Sequence, residues 1–207
     1  MIIDASALAA MEQRHRAALI NSVIGYKPAN LVGTVDGTGC SNLAIMSSAV
    51  HLGANPALIM LVLRPAAAQQ NTLANILENG CYTLNHINRE IVPAAHQTSA
   101  RYASDISEFT AVGLSEHWHP DFPAPFVAEA RVRMGMELRE HQTLAINGTQ
   151  LIIGELVLLE IDEGMLREDY SLDLEKTGSV AISGLDSYYT TEHLLTLPYA
   201  KPSRKEP

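Results

Sequence analysis

The chain opens with large side chains at helical spacing. Leu8, Met11, His15 and Leu19 recur three or four positions apart with charges between them, which predicts a helix from about Ser6 to Ile20. The period then changes. "NLVGTV" (30–35) reads as a strand, "DGTG" (Asp36–Gly39) as a turn, and "CSNLAIMSS" (40–48) as the returning strand. Asn55–Pro56 marks another turn. "ALIMLVLR" (57–64) is so evenly apolar that both of its faces are expected to be covered. "SNLAIMSS" and "ALIMLVLR", close in sequence, are expected to pair as a hairpin.

In "PAAAQQNTLANILENG" (65–80), Asn71 is the expected N-cap. Leu73, Ile76 and Leu77 form a helical stripe, and Gly80 stands at the stop. "CYTLNHI" (81–87) is a strand, and the stretch from Val92 to Gly113 reads as mostly helical. "WHPDFPAPF" (118–126) is a proline-rich loop. "ARVRMGMELREHQTLAI" (130–146) and "TQLIIGELVLLEID" (149–162) are long strands flanking Asn147–Gly148, a strong hairpin signal. The C-terminal remainder of the chain reads as irregular with short helices. Long strands joined by tight turns predict an antiparallel barrel or sandwich. The expectation is one domain over 1–207, with an N-terminal helix (about 6–20) and a C-terminal extension (about 165–207).

Composition narrows the function. With 207 residues, 47% of them hydrophobic, a full core can be buried. A net charge of −9 argues against nucleic acid, which needs a basic face to replace phosphate counterions. No stretch is long and apolar enough to span a bilayer, and the N-terminus has no leader pattern, so no membrane partner is expected. Cys40 and Cys81, the only cysteines, fit free thiols in a reducing compartment, hence the cytoplasm, and no disulfide or metal framework. His117 and His119 form an H-x-H without a third ligand and are read as a loop pair. His51, His86, His96 and His141 stand in no nucleophile motif.

The polar cluster Ser41, Asn42, Ser47 and Ser48 interrupts an apolar stretch, so it either faces water or lines a polar pocket. Neither G-x-G-x-x-G nor G-x-x-x-x-G-K-[ST] occurs. A phosphate site is nevertheless available. Arg64 ends a strand, and Asn71 and Thr72 open a helix whose free N–H groups and dipole favour an anion. The plain alternative is a solvated arginine and an ordinary cap. If the serine strand faces the same mouth as Arg64, its side chains and backbone suit a flat heteroaromatic ring with carbonyl and N–H edges.

The segment "PANLVGTVDGTGCSNLAIMSSAVHLGANPALIMLVLRP" followed by "NTLANILENGCYTLNHI" resembles the flavin reductase-like family. The carrying positions are Pro28, Asp36–Gly37, Asn42, Ser47–Ser48, Pro56, Thr72 and Asn85, supported by "RYASDISEFTAVGL" and "QLIIGELVLLEID". The likeness runs from about residue 20 to 165. It implies a mainly β fold with flanking helices: an antiparallel split β-barrel (Greek-key), six- or seven-stranded, forming a homodimer with FMN near the subunit boundary. It implies ring contacts from Met46, Ser47 and Ser48, largely through backbone groups. Phosphate contacts would come from Arg64, Asn71 and Thr72. Asn42 would cap its turn or touch the ligand, and Asn85 would sit near the ring or brace the barrel. The loop "RPAAAQQNT" is apolar where many members carry serine or lysine.

The implied activity is NAD(P)H-dependent flavin reduction, with electrons passed to free flavin, a partner oxygenase or another acceptor; FAD is the alternative to FMN. No acid–base side chain is required for that chemistry. The other readings are a flavin-binding electron carrier without nicotinamide turnover, a split-barrel oxidase of a small phosphorylated amine, and a barrel without cofactor. Trp118 is expected to cover an apolar edge, and Tyr188 and Tyr189 to lie over the flavin or in the dimer seam.

Overall fold

The computed structural model describes residues 1–65, 70–103 and 105–201. In chain order the elements are α1 (Ala5–Ala10), α2 (Gln13–Val23), β1 (Lys27–Pro28), β2 (Asn30–Val35), β3 (Ser41–Met46), β4 (Ala49–Ala54), β5 (Ala57–Leu63), α3 (Gln70–Asn79), β6 (Cys81–His86), α4 (Val92–Gln97), α5 (Glu108–Val112), β7 (Glu116–His117), β8 (Phe126–Val127), β9 (Val132–Thr143), β10 (Gln150–Ile161), α6 (Leu174–Thr177), β11 (Val180–Ser183) and β12 (Ser187–Thr190). Seven strands form one antiparallel sheet in the order β3-β2-β6-β9-β10-β5-β4. Its two outer strands, β3 and β4, are consecutive in the chain and joined by Ser47 and Ser48 alone. The sheet therefore curls back on itself, and the chain steps across the gap of a split barrel at those two serines.

The serine strand does not pair with "ALIMLVLR". It pairs with β2 from Asn30↔Met46 to Val35↔Ser41, and β5 takes β4 as its partner instead. The turn decides this. One oxygen of Asp36 accepts from Thr38 N at 2.8 Å, Thr38 Oγ1 at 2.7 Å and Cys40 N at 2.9 Å, and Gly39 takes φ +88°. With "DGTG" locked, β3 can only fold back on β2. β4, "AVHLGA", carries no alternation from which a strand could be read. Nor is β5 covered on both faces throughout: Leu61 and Leu63 are buried and the rest are half-buried.

Paired residues of neighbouring strands face the same way. Val32, Leu84, Met46, Leu61, Tyr82, Met136 and Ile152 fill the barrel, together with Ile76 from α3. On the opposite face Leu31, Leu43 and Ile87 pack with Ile91, Ala95 and Phe109. β3 is a sheet edge, whose spare N–H groups would invite another strand. Here Leu43 N donates to Glu108 Oε2 at 2.9 Å and Ile45 N to Thr98 Oγ1 at 2.9 Å, so α5 and the end of α4 close that edge.

The N-terminal helix is two helices broken at Met11–Glu12, where Glu12 caps α2 by accepting from Arg14 N and His15 N. Neither buries a residue. The region 92–113 contains only α4 and α5. The C-terminal extension holds strands where irregular chain is expected. β11 and β12 form a hairpin that turns at Gly184 (φ +65°), and β11 pairs with β1, tying residues beyond 165 to the start of the barrel. No helix among the described residues is long and apolar enough to cross a membrane.

Candidate functional site

The Ser47–Ser48 step leaves hydrogen-bond donors unused. Ser48 is a staple: its hydroxyl donates to Val62 O at 2.6 Å and its carbonyl accepts from Val62 N at 3.3 Å. Ser47 makes no side-chain hydrogen bond to a described residue, and the backbone N–H groups of Ser47 and Ser48 reach no described acceptor. Met46 contributes backbone only, since its side chain is 5% exposed and lies in the barrel core.

Asn30 lies directly beside this step, between Met46 on β3 and His86 on β6. It is 2% exposed, yet its Oδ1 has no hydrogen-bond partner. A buried unpaired amide oxygen costs about 1–3 kcal/mol, which a ligand N–H or an ordered water would recover. Sequence reasoning passes over Asn30. The available signal is a polar residue opening an apolar strand, "ANLVG".

β5 ends level with the step, and Arg64 follows it, exposed to solvent. The Arg64 charge is felt at Lys27: burial first, then the guanidinium nearby, hold the Lys27 ammonium below its usual pKa. Two cations thus converge at this end of the barrel in a chain of net charge −9. Neither forms an ion pair with a described residue.

The remaining expected residues divide. Asn71 is exposed and lies inside α3, one residue past its first, so it is not the N-cap; residues 66–69 fall outside the described residues. Thr72 is 2% exposed, and its Oγ1 accepts from Asn42 Nδ2 at 3.1 Å. Asn42 and Asn75 both also donate to Thr34 Oγ1, at 3.3 and 3.1 Å. These four side chains knot α3 to the β2–β3 hairpin, so Thr72 and Asn42 act on the fold and present no free group to solvent. Asn85 is wholly spent: Nδ2 donates to Leu31 O and Thr83 Oγ1, and Oδ1 accepts from Val127 N at 3.0 Å. It braces β2, β6 and β8 and does not touch a ligand site.

The other residues singled out in the sequence lie elsewhere. His117 Nε2 meets Glu160 Oε1 at 3.2 Å, and His119 accepts from Asp121 N. Tyr188 OH meets His96 Nδ1 at 3.0 Å, and Tyr189 packs on Tyr26 with centroids 4.9 Å apart. Trp118 donates to Glu116 and stays 45% exposed. Cys40 and Cys81 are free thiols, both pushed up in pKa chiefly by burial.

His86, at the end of β6, is held neutral. Burial lowers its pKa to about 4, and its Nδ1 contacts Ser179 Oγ at 2.9 Å. A depressed histidine pKa means that the unfolded chain binds the proton more readily. Its contribution is therefore intact above about pH 6.5 and is lost as pH falls from there toward 4, by about 3 kcal/mol at most. Melting curves from pH 7 to 4 should show a steeper acid loss for the wild type than for His86→Gln. Equal slopes would refute the assignment.

The ring-edge donors at Ser47–Ser48, the orphan acceptor of Asn30 and the cations Arg64 and Lys27 fit a flat ring with carbonyl and N–H edges that carries a phosphate. The flavin reductase like domain family matches residues 26–180. A solved structure from Shewanella frigidimarina, assigned as a flavin reductase with a split barrel domain, is 49% identical, covers 97% of this chain and 100% of its own, and superposes with a TM-score of 0.93. Flavoredoxin of Desulfovibrio vulgaris is 25% identical, covering 87% of this chain and 92% of its own, with a TM-score of 0.71. YwrF of Bacillus subtilis, a protein of uncharacterised function, is 28% identical over 150 residues, 70% of this chain and 73% of its own.

Proposed function

This chain belongs to the flavin reductase-like family, and on that premise we propose that it is an FMN-dependent oxidoreductase that takes electrons from NAD(P)H and hands them to free flavin or a partner oxygenase. The observation that carries the reading is the Ser47–Ser48 step, where unspent N–H groups lie on the same end of the barrel as Arg64 and Lys27. When bound, the flavin supplies the hydride-accepting ring; the protein's work is to hold and tune it. Ser47 and Ser48 N–H groups offer hydrogen bonds to an edge that gains negative charge. Arg64 offers a fork for the phosphate, and Asn71, exposed in the first turn of α3, offers a second polar contact. FMN suits the one cationic end better than FAD, whose adenosine would need a further surface.

A second copy of the chain completes the proposed site. α1 and α2 bury nothing, and Ile20, Val23 and Ile24 are 48%, 66% and 67% exposed. Such a row on a helix needs a partner, and a homodimer is the reading it supports; the free thiols Cys40 and Cys81 favour the cytoplasm as its place. The similarity to flavoredoxin favours the electron carrier as the alternative.

Two measurements separate the readings. Purified protein should carry or take up a yellow chromophore that mass spectrometry identifies as FMN. Steady-state NADH or NADPH oxidation should rise on adding free FMN. Bound flavin without nicotinamide turnover selects the carrier, and a colourless protein that takes up no FMN rejects both.

A further inference from the structure

β5 is apolar at every position from Ala57 to Leu63, the pattern of a strand covered on both faces. One face is covered by the chain itself. Ile59, Leu61 and Leu63 turn into the barrel, where Ile152 packs with them. Leu58, Met60 and Val62 alternate with these and therefore turn outward. Neighbouring strands continue that outer surface. Val50 on β4 and Ile153 on β10 flank Met60, and Leu151 on β10 lies beside Val62. None of these six side chains joins a hydrophobic cluster of the described residues. α3, α4 and α5 pack on β2, β3 and β6, the strands at the other end of the sheet order.

α2 has the opposite need. It is 11 residues long and buries none of them. A helix of that length gains little from its own hydrogen bonds in water, so packing must hold it. Ile20, Val23 and Ile24 stand three and four positions apart and form one apolar stripe. The charges of the two surfaces also differ. α2 carries Arg14 and Arg16 and no acidic residue. On the sheet, the outward rows run on from Ile153 to Glu140 and from Leu58 to Glu155 and Glu137. A basic helix and an acid-bordered apolar face complement each other.

The geometry points to a reciprocal dimer in which α2 of each copy seats on the outer β4–β5–β10 face of the other. The inference rests on the homodimer reading above and adds which surfaces meet. Their sizes agree: three strands span about 10 Å from first to last, close to the diameter of one helix. The stripe and the face leave on the order of 400 Å² of apolar surface per copy to be buried. An interface about 60% apolar would then cover roughly 700 Å² per copy, near the standard size. Packing face on face would leave both helices uncovered, and helix on helix would leave both faces uncovered. Only the exchanged arrangement covers all four surfaces. β4 follows the Ser47–Ser48 step directly, so the partner's helix lies beside that step.

Cross-linking between unlike chains tests this. Full-length Val23→Cys and Val50→Cys chains, each in a Cys40→Ser background and with different tags, are co-expressed and treated with a short bismaleimide; Cys81 is buried and stays. The link between the two unlike chains should form in high yield. Neither variant alone should link to its own copy. Analytical ultracentrifugation gives a second readout. Val23→Asp and Val50→Asp should each raise the dimer dissociation constant at least tenfold. Both positions are exposed and outside the core clusters, so the barrel itself should stay folded. A dimer that yields only links between like chains keeps the homodimer reading and overturns this arrangement. So does a Val50→Asp dimer as tight as the wild type. A wild type that stays monomeric at micromolar concentration overturns both.

Discussion

Gly33→Ala should lower the melting temperature by roughly 10 °C, the largest effect of any single methyl group in this protein. Gly33 sits in the middle of β2, paired with Leu43 on one side and Thr83 on the other. A Cβ there would collide with the carbonyl oxygen of Pro125 and with Thr83 Oγ1. Neither can retreat. Thr83 is fully buried, and its hydroxyl already donates to Pro125 O at 2.7 Å. Glycine is therefore required here for the close approach of the proline-rich loop to the strand, not for a left-handed backbone. Forcing the two apart should cost about 4 kcal/mol, at the upper end of single-residue effects, and a chain of this size loses about 2–4 °C per kcal/mol. Gly53→Ala is the control. Its Cβ would meet only Pro56 O at 3.5 Å, an ordinary contact, and its effect should stay within about 0.5 kcal/mol. A Gly33→Ala protein that melts within 2 °C of the wild type would show that the loop does not rest on β2 as described.

Arg64→Glu should weaken FMN binding about a hundredfold or more, and Arg64→Gln about tenfold, with the fold unaffected in both. Arg64 is exposed, beyond the last residue of β5, and forms no ion pair with a described residue, so its removal takes nothing from the packed structure. A charge-assisted fork on a phosphate is worth about 1.5–3 kcal/mol, and reversal adds repulsion. The two substitutions should also separate in salt. The deficit of Arg64→Glu should shrink as ionic strength rises, whereas that of Arg64→Gln should change less. Fluorescence titration of apoprotein with FMN, and in parallel with riboflavin, gives the decisive comparison. If riboflavin suffers as much as FMN, the arginine does not hold the phosphate. Thr72→Ala, by contrast, should first reduce stability, because Thr72 ties Asn42 and α3 to the hairpin.

The parts of this architecture that are legible in the chain are those governed by neighbours in sequence. Asn147–Gly148 announces the β9–β10 hairpin because Gly148 takes a positive φ (+74°) that few residues tolerate. Gly80 announces the end of α3 for the same reason. "DGTG" marks its turn through hydrogen bonds that Asp36 makes within four residues. The pairing of β3 is misjudged from sequence because nearness along the chain does not rank two possible partners; the Asp36 turn does. β11 escapes a local reading because one of its partners is β1, more than 150 residues away, whereas β12 pairs with β11 alone and depends on that long-range contact for a sheet to join. The serines stand out in the sequence, but the hydrogen-bond roles inside the polar group are not visible there. Ser48, Asn42, Thr72 and Asn85 are committed to Val62, Thr34, Asn42 and Val127 respectively.

By itself the chain determined its class, its turns and the residue types available at one mouth, since periodicity, glycine placement and local hydrogen bonding act over a few residues. Which of those polar groups are left free was decided only by the closed barrel. A donor is available to a ligand when no distant strand or helix has already claimed it, and that depends on contacts made across the whole fold.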